Sequence, residues 1–469
     1  MQTAGIDIGT TSLCLIIADV LSGKALRTIT RPNDAGLASS RSWEALQQPD
    51  RIVRLVQSMI AECGDEWRHV GAIGISCQMH GIVYVDGSGQ AVGPLVTWQD
   101  RRGEELIDAG GSTYAARLEA LTGYRLATGY GLVTHAYNAA HGEVPAEAVA
   151  LCAIGDYVAM KLCGAAAPVT DASNAAGFGL FSLGAQRFDL SAMAKAGLDA
   201  AILPRVAGAG DTAGRTPDGK LVACAIGDNQ ASFLGAVKTL KGSLLFNIGT
   251  GAQVSAFSPE AMEGEGIEAR PCPGGGYLLV GASLNGGKSY ALLERFFRET
   301  CRAFMPEFGD GRSLYARMNE LALEAMAEAG PDFPAGLANG PQVGTLLYGT
   351  RQSPGATGYI TGLRPSNLTP KHLIVGWMNG IIEELLGFME AIPQQLRAGV
   401  TSVSASGNGI RRNPAMRRLL QARLGQPLFV ADVEEEATFG AALHAAVAAG
   451  YYDDHEAALL GMHRGFDQT

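Results

Sequence analysis

The chain has 469 residues, 47% of them hydrophobic and 17% charged, with a formal net charge of −10. That length exceeds what one compact core supports, so two large domains are expected. The acidic balance argues against general nucleic-acid or anionic-membrane binding, which need basic surface. It leaves room for a small phosphorylated ligand held by a local backbone nest.

The first predicted element is a hairpin, "GIDIGTTSLCLIIAD". Ile6 and Ile8 flank Asp7, and Leu13, Leu15 and Ile17 recur at the strand period of two. Between them Gly9, Thr10, Thr11 and Ser12 form a tight turn with hydroxyls and backbone N–H groups. Taken alone, this turn is a plain hairpin with an acid beside it. A helix is expected over "PDRIVRLVQSMIAECGDEW", with Pro49 as its starter and Ile52, Val53, Val56, Met59 and Ile60 on one face. Next, "VGAIGISCQMHGIVYVD" reads as a buried strand, a turn and a second strand. This alternation points to an α/β fold.

The second half repeats the plan. "GSLLFNIGTGAQVSAFS" is strand, turn, strand, and helices follow at "GKSYALLERFFRETCRAF" and "SLYARMNELALEAMAEAG". One long helix is expected over "PKHLIVGWMNGIIEELLGFMEAIPQQLRAG". Then come a strand, a Gly-rich loop and a helix in "VTSVSASGNGIRRNPAMRRLLQARLG", the short strand "PLFVAD" and a closing small-residue helix. Ile8-Gly9-Thr10 and Ile248-Gly249-Thr250 occupy the same place in the two opening hairpins. Such internal similarity suggests two related α/β domains, residues 1–239 and 240–469, with a ligand cleft between them.

The eight cysteines are scattered, without a CxxC pair, and are expected to be buried reduced thiols. The N-terminus enters a strand at once, without a signal core, and no run of about 18 apolar residues occurs. A cytoplasmic protein is therefore expected.

Five stretches carry chemistry. In "DIGTTS" a phosphate-gripping turn would put Asp7 within reach of a bound cation. In "AIGDNQASFLGA" Asp228 stands at a strand end and a helix start, where it can be an N-cap or a general base for a sugar hydroxyl. "CQMHGIVYVD" and "TWQDRR" gather Gln78, His80, Trp98, Gln99, Asp100 and Arg101 in loops after strands, a polar and aromatic set suited to a polyhydroxylated ligand. A lone His is more often a satisfied loop or core residue; this company makes the two roles for His80 about equal. "SASGNGIRRNPAM" is a strand, a glycine turn and a helix start, where Gly407 and Gly409 permit close backbone approach and the helix end favours an anion. "SLNGGKSYALLERF" is a glycine pair opening a helix, equally an ordinary loop or a nucleotide-lining one. Neither a GxxxxGK[ST] loop nor an H-R-D kinase set is present.

In this order and spacing the motifs resemble the FGGY family of carbohydrate kinases, within the actin-like ATPase superfamily, over nearly the whole chain. The resemblance implies two ribonuclease H-like domains with a central cleft that holds ATP and sugar, and Mg²⁺-dependent transfer of the γ-phosphoryl group to a sugar hydroxyl. Carried over by position, Asp228 is the implied catalytic base. Asp7, with Asp228, is on the metal side, Asp7 acting through water. Thr10, Thr11, Ser12, Gly249 and Thr250 are implied phosphate contacts. Gly407, Asn408, Gly409 and Asn413 form the implied adenosine loop, with Gly287 facing it. Gln78, Met79, His80, Trp98, Asp100 and Asn229 are implied sugar contacts. Within the family, "QMHG", "NIGTGAQ", "ASLNGGKSY" and "SGNGIRRN" favour a ketose acceptor, sedoheptulose ahead of xylulose, although Lys288 stands where Asn is expected. A monomer or homodimer that acts on a small sugar and ATP, with no nucleic acid and no membrane, is the resulting expectation. An actin-like nucleotide switch is the alternative of another class. It would share both phosphate turns but has no use for "QMHG" and "TWQDRR". A sugar-sensing pseudokinase would have lost Asp7 or Asp228.

Overall fold

The computed structural model describes residues 1–107, 110–262, 264–305, 307, 313–330, 333–336, 340–350, 353, 355–462 and 466–468. In the first half the strands of the main sheet are β1 (Gln2–Ile8), β2 (Ser12–Asp19), β3 (Ala25–Pro32), β4 (Val70–Cys77), β5 (Thr212–Arg215), β6 (Leu221–Ala223) and β7 (Ile226–Gly227). The helices used below are α1 (Pro49–Glu62), α2 (Ile154–Cys163), α3 (Ala172–Gly177) and α4 (Asp228–Ala236). These strands form one sheet in the order β5-β6-β4-β1-β2-β3, with β7 also on β4.

The second half supplies β8 (Ser243–Ile248), β9 (Ala252–Ser258), β10 (Ile267–Pro271), β11 (Tyr277–Ser283), β12 (Ser402–Ser406), β13 (Phe429–Ala431) and β14 (Phe466–Gln468). Its longer helices are α5 (Gly287–Phe304), α6 (Tyr315–Glu328), α7 (Pro370–Ala391), α8 (Pro414–Leu424) and α9 (Glu436–Ala448). The sheet order is β10-β11-β9-β8-β12-β13-β14. In each sheet the opening strand pairs antiparallel with the next strand and parallel with a later one, β1 with β2 and β4, β8 with β9 and β12. The two Ile-Gly-Thr turns therefore hold equivalent places.

Two helical expectations are shortened. The first helix stops at Glu62 and passes through a 3-10 turn at Gly64–His69, with Gly64 at φ +56°. The long helix of the second half ends at Ala391. Pro393 lacks the N–H that continuation needs, and a separate short helix covers Gln394–Ala398.

The period of two in β2 hides a second buried face. Leu13, Leu15 and Ile17 join the core that contains Ile52, Val56 and Met59 of α1. Cys14, Ile16 and Ala18 face a separate cluster between the two sheets. That middle layer contains Phe233 and Leu234 of α4, Phe439 and Leu443 of α9, and Leu245, Leu278 and Val280 of the second sheet. A strand covered on both faces has no polar side to show, hence the unbroken apolar run. Helix α9 comes from the far end of the chain yet packs on β1, β4 and α4. It lies so close that a Cβ on Gly5 would stand 1.8 Å from the Thr438 carbonyl oxygen. Among the described residues no helix is long and apolar enough to cross a membrane. The cysteines are free, six of them buried, as the sequence reading expects.

One buried acid outside the cleft gives a direct test of the packing. Asp156 in α2 is 1% exposed, accepts the Ala153 N–H at 3.1 Å, and is pushed up to about 8 by burial. The unfolded chain ionises near the ordinary carboxyl value of 3.8, so folding keeps a proton that unfolding releases. Stability is therefore full below about 4 and is lost as pH rises towards about 8, by about 1.4 kcal/mol per unit. Asp156→Asn keeps the acceptor for Ala153 and removes the titration. The variant is expected to melt above the parent at pH 8, with the gap closing towards pH 5. A gap independent of pH would contradict a buried neutral acid.

Candidate active site

Strand register creates the centre of the site. On β4, Ser76 lies opposite Asp7 of β1 on one side and Ile226 of β7 on the other. Asp7 and Asp228, remote in sequence, thus reach the same end of one sheet. The Ser76 hydroxyl donates to Asp7 Oδ1. Burial pushes Asp7 up to about 7, opposed by that hydrogen bond and reinforced by the charges of Asp228 and Glu435. Asp228 is pushed up to about 6 by burial, against the pull of the first helix N–H groups and of Arg270. Gly227, not Asp228, is the N-cap of α4. Asp228 is the first residue of the helix, and its carboxylate faces the first N–H groups. Asn229 is 9% exposed and its Oδ1 has no hydrogen-bond partner among the described residues. A buried amide oxygen without a partner carries a desolvation cost of about 1–3 kcal/mol that a ligand donor can relieve.

The first turn is held from its carbonyl side. Asn33 donates from Nδ2 to Gly9 O at 2.9 Å and from its backbone N–H to Thr11 O at 2.9 Å. Gln47 Nε2 donates to Thr10 O at 2.9 Å. Thr11 and Ser12 remain exposed. The Thr10 hydroxyl donates to Gln78 Oε1 at 3.1 Å and accepts from Trp98 Nε1 at 3.0 Å. Gln78 completes the chain by donating to Gln47 Oε1 at 3.0 Å. The expected phosphate turn and two expected sugar contacts are thus neighbours.

Two of the six expected sugar contacts have different work here. Gln78 is 2% exposed and both ends of its amide are engaged, so it positions the turn from beneath. Asp100 is fully buried: Oδ1 accepts from Arg102 N–H and Nε, Oδ2 from Arg102 Nη2 and the Ala45 N–H. It is the counter-ion of a buried arginine, and its loop aims Trp98 at Thr10. Met79 and His80 follow Gln78 in the same loop. Met79 lies against Gly227, whose added Cβ would stand 2.7 Å from its sulfur. His80 has φ +74°, stacks on Tyr130 with ring centroids 4.6 Å apart, and meets the Gly177 carbonyl through Nδ1 at 2.7 Å. A carbonyl only accepts, so Nδ1 carries the proton and, in the neutral ring, Nε2 is an acceptor.

In the second half three glycine turns converge on β8. Gly287 N–H donates to Gly249 O at 2.8 Å and Lys288 N–H to Thr250 O at 2.9 Å. Cβ atoms on Gly407 and Gly409 would stand 2.5 and 2.7 Å from Ile248 O, and Gly407 has φ +84°, so side chains are excluded there. Asn408 opens the short helix after them. Asn413 is instead a structural cap, accepting the Met416 N–H at 2.9 Å at the start of α8.

Several groups of the site have no role in the sequence reading. Asn33 and Gln47 lie in a stretch without a pattern. Asn285 is fully buried, bonding Gly349 O and the Tyr348 N–H, each at 3.0 Å, and so braces the turn before Gly287. Arg411 donates to Glu436 Oε1 and to the Ala431 and Val433 carbonyls. It thereby fastens the loop that brings Glu435 towards Asp7. Its place inside "GNGIRRN" is the one signal that sequence offered for it.

Asp7, Asp228 and Glu435 gather negative charge around oxygen donors, the chemistry of a hard divalent cation. No group of three His, Cys, Asp or Glu among the described residues is close enough to cage a metal alone. Mg²⁺ suits that arrangement, since it keeps waters and takes the rest of its ligands from substrate phosphates.

The chain is similar to known proteins over nearly its whole length. The family described as "FGGY family of carbohydrate kinases, N-terminal domain" matches residues 3–235, and its C-terminal domain matches residues 245–449. Sedoheptulokinase of Mus musculus is 29% identical, covering 94% of this chain and 96% of its own length. Xylulose kinase of Streptomyces rubiginosus is 30% identical over 54% of each chain. Among solved structures, a gluconate kinase from Lactobacillus acidophilus superimposes with TM-score 0.82 at 19% identity, covering 99% of this chain and 92% of its own. A xylulose kinase from Rhodospirillum rubrum does so with TM-score 0.81 at 22% identity, covering 100% and 93%. At those identities the structures speak for the fold.

Proposed function

Because the chain belongs to the FGGY family of carbohydrate kinases, and is therefore an ATP-dependent sugar kinase, we propose that its acceptor is a ketose phosphorylated on a terminal hydroxyl, sedoheptulose giving sedoheptulose 7-phosphate. The observation that carries the reading is the meeting of Asp228, Asp7, Met79 and the Thr10–Trp98 pair at one end of the first sheet. End-to-end similarity to a sedoheptulokinase supports the choice of sugar. In this reading residues 1–239 hold the sugar and the base, and residues 240–469 hold the nucleotide.

Trp98, His80 and Asn229 orient the sugar, and Asp228 accepts the proton of the terminal hydroxyl. As that proton leaves, the oxygen bonds to the γ-phosphorus and the bond to the β–γ bridging oxygen breaks, releasing ADP. The turns at Thr10–Ser12 and Gly249–Thr250 grip the phosphates from opposite sides. Asp7 and Asp228 are the residues that would hold Mg²⁺, which when bound neutralises phosphate charge. Closure of the two halves keeps water from taking the phosphoryl group.

A coupled ADP-release screen over sedoheptulose, xylulose, ribulose, fructose and glycerol tests the substrate. Sedoheptulose is expected to give the highest kcat/KM. A strong signal on xylulose with none on sedoheptulose would move the substrate to the pentuloses and leave the mechanism intact.

A further inference from the structure

The strand β10 belongs to the second sheet, but its end is built into the first-half site. Gln230, in the first turn of α4 beside Asp228 and Asn229, donates from Nε2 to Pro271 O at 2.9 Å. Pro271 pairs with Tyr277 of β11, whose hydroxyl donates to Leu183 O at 2.8 Å. Helix α3, whose Gly177 carbonyl fixes His80, packs on β10. The residue before Pro271 is Arg270. Its side chain is 14% exposed, and Nη2 donates to Glu268 Oε2 at 2.7 Å. The charge of Arg270 acts on both Asp228 and Tyr130, the ring stacked on His80. A cation from the nucleotide half therefore stands among the sugar-side groups.

A guanidinium has five N–H donors and no acceptor, and the bond to Glu268 uses one of them. What it can recognise nearby is an oxygen acceptor. Asp228 supplies an acceptor to the substrate, and Arg270 supplies the complementary donors. We propose that Arg270 is a further sugar-contacting residue, supplied by the second sheet, that donates to the hydroxyl oxygen neighbouring the one phosphorylated. Two adjacent hydroxyls held by opposite groups, one by a carboxylate and one by a guanidinium, set the rotation of the sugar's end. The first oxygen then points at the γ-phosphorus. Because Arg270 arrives from the nucleotide half, sugar contact and approach of that half are coupled. This inference rests on the sugar-kinase reading and on Asp228 lying at the accepting hydroxyl.

Arg270→Gln and Arg270→Lys are compared with the parent by steady-state kinetics and by calorimetric sugar binding without nucleotide. The acceptors are sedoheptulose, D-xylulose and the analogue of each with hydrogen in place of the neighbouring hydroxyl. Expected for Arg270→Gln is a fall of about tenfold or more in kcat/KM for sugar, with weaker sugar binding and an ATP KM within about twofold of the parent. Arg270→Lys recovers part of the loss, and the loss shrinks on the deoxy analogue, as coupled partners require. Unchanged sugar affinity, or a loss as large on the deoxy analogue as on the natural sugar, overturns the contact. So does a lowered melting midpoint with both KM values raised, which marks a structural residue. A parent that binds and phosphorylates neither ketose overturns the ketose reading and this inference together. An active parent with an indifferent Arg270→Gln overturns this inference alone.

Discussion

Asp228→Asn is expected to lower kcat for sugar phosphorylation by about 10²–10⁴-fold, the span that a positioned general base contributes. ATP affinity and the melting midpoint are expected to stay near parental. The substitution is nearly isosteric, and its amide oxygen can still accept from the first N–H groups of α4 that now face the carboxylate. What it loses is the capacity to take a proton. Removing the charge also relieves Asp7, whose carboxyl is pushed up in part by Asp228, so a loss of fold is not the expected price. Single-turnover ADP formation with sedoheptulose and xylulose separates chemistry from product release, and equilibrium ATP titration reports on the nucleotide half. Turnover within a few-fold of parental would remove Asp228 as the base. Loss of ATP binding in step with turnover would instead place it in nucleotide binding.

How much of this was legible in the sequence depended on the range of the interaction. The two hairpins, their glycine turns and the strand–helix junction at Asp228 are local patterns, and they stand where the pattern put them. The adjacency of Asp7 and Asp228 is not local. It arises because β1 and β7 both pair with β4 around Ser76, which no motif announces. Burial was the least legible quantity. "TWQDRR" offers Asp100 as an obvious polar contact, but the next-but-one residue, Arg102, turns inward under Trp43 and Tyr137 and takes the carboxylate with it. Gln78 looks ligand-facing in the sequence for the same reason, yet its amide is engaged by Thr10 and by Gln47 from an unpatterned stretch. Glu435 and Arg270, whose charges act on Asp7 and Asp228, carry no local signal because each comes from the opposite half of the chain. Gly227 rather than Asp228 caps α4, and without a side chain it leaves Met79 the space it fills.

The second large effect belongs to the crossing of α4 and α9. Gly440→Ala is expected to lower the melting midpoint and sugar phosphorylation together. In an ordinary helix the change is favourable, since Ala exceeds Gly in helix propensity by about 0.8–1 kcal/mol. Here an added Cβ would stand 1.9 Å from the Ala231 carbonyl oxygen and 2.7 Å from its carbon, with Gly235 N at 3.0 Å. The contact is reciprocal, because a Cβ on Gly235 would stand 1.8 Å from Glu436 O. These are backbone atoms of two helices, so relief requires moving the helices apart rather than turning a side chain. Both are buried between the sheets, where overpacking costs about 1–3 kcal/mol or more. That exceeds the propensity gain, and the sign reverses. The displacement also reaches the site, since α4 begins at Asp228 and Glu435 is the N-cap of α9. Gly387→Ala in α7 is the matched control: that glycine is exposed and nothing lies within 4 Å of its added Cβ. It is expected to raise the midpoint slightly and leave kcat unchanged. Thermal melts and ADP-release rates on the pair decide the matter. A Gly440→Ala protein that melts at or above the parent would show that the two helices separate without cost.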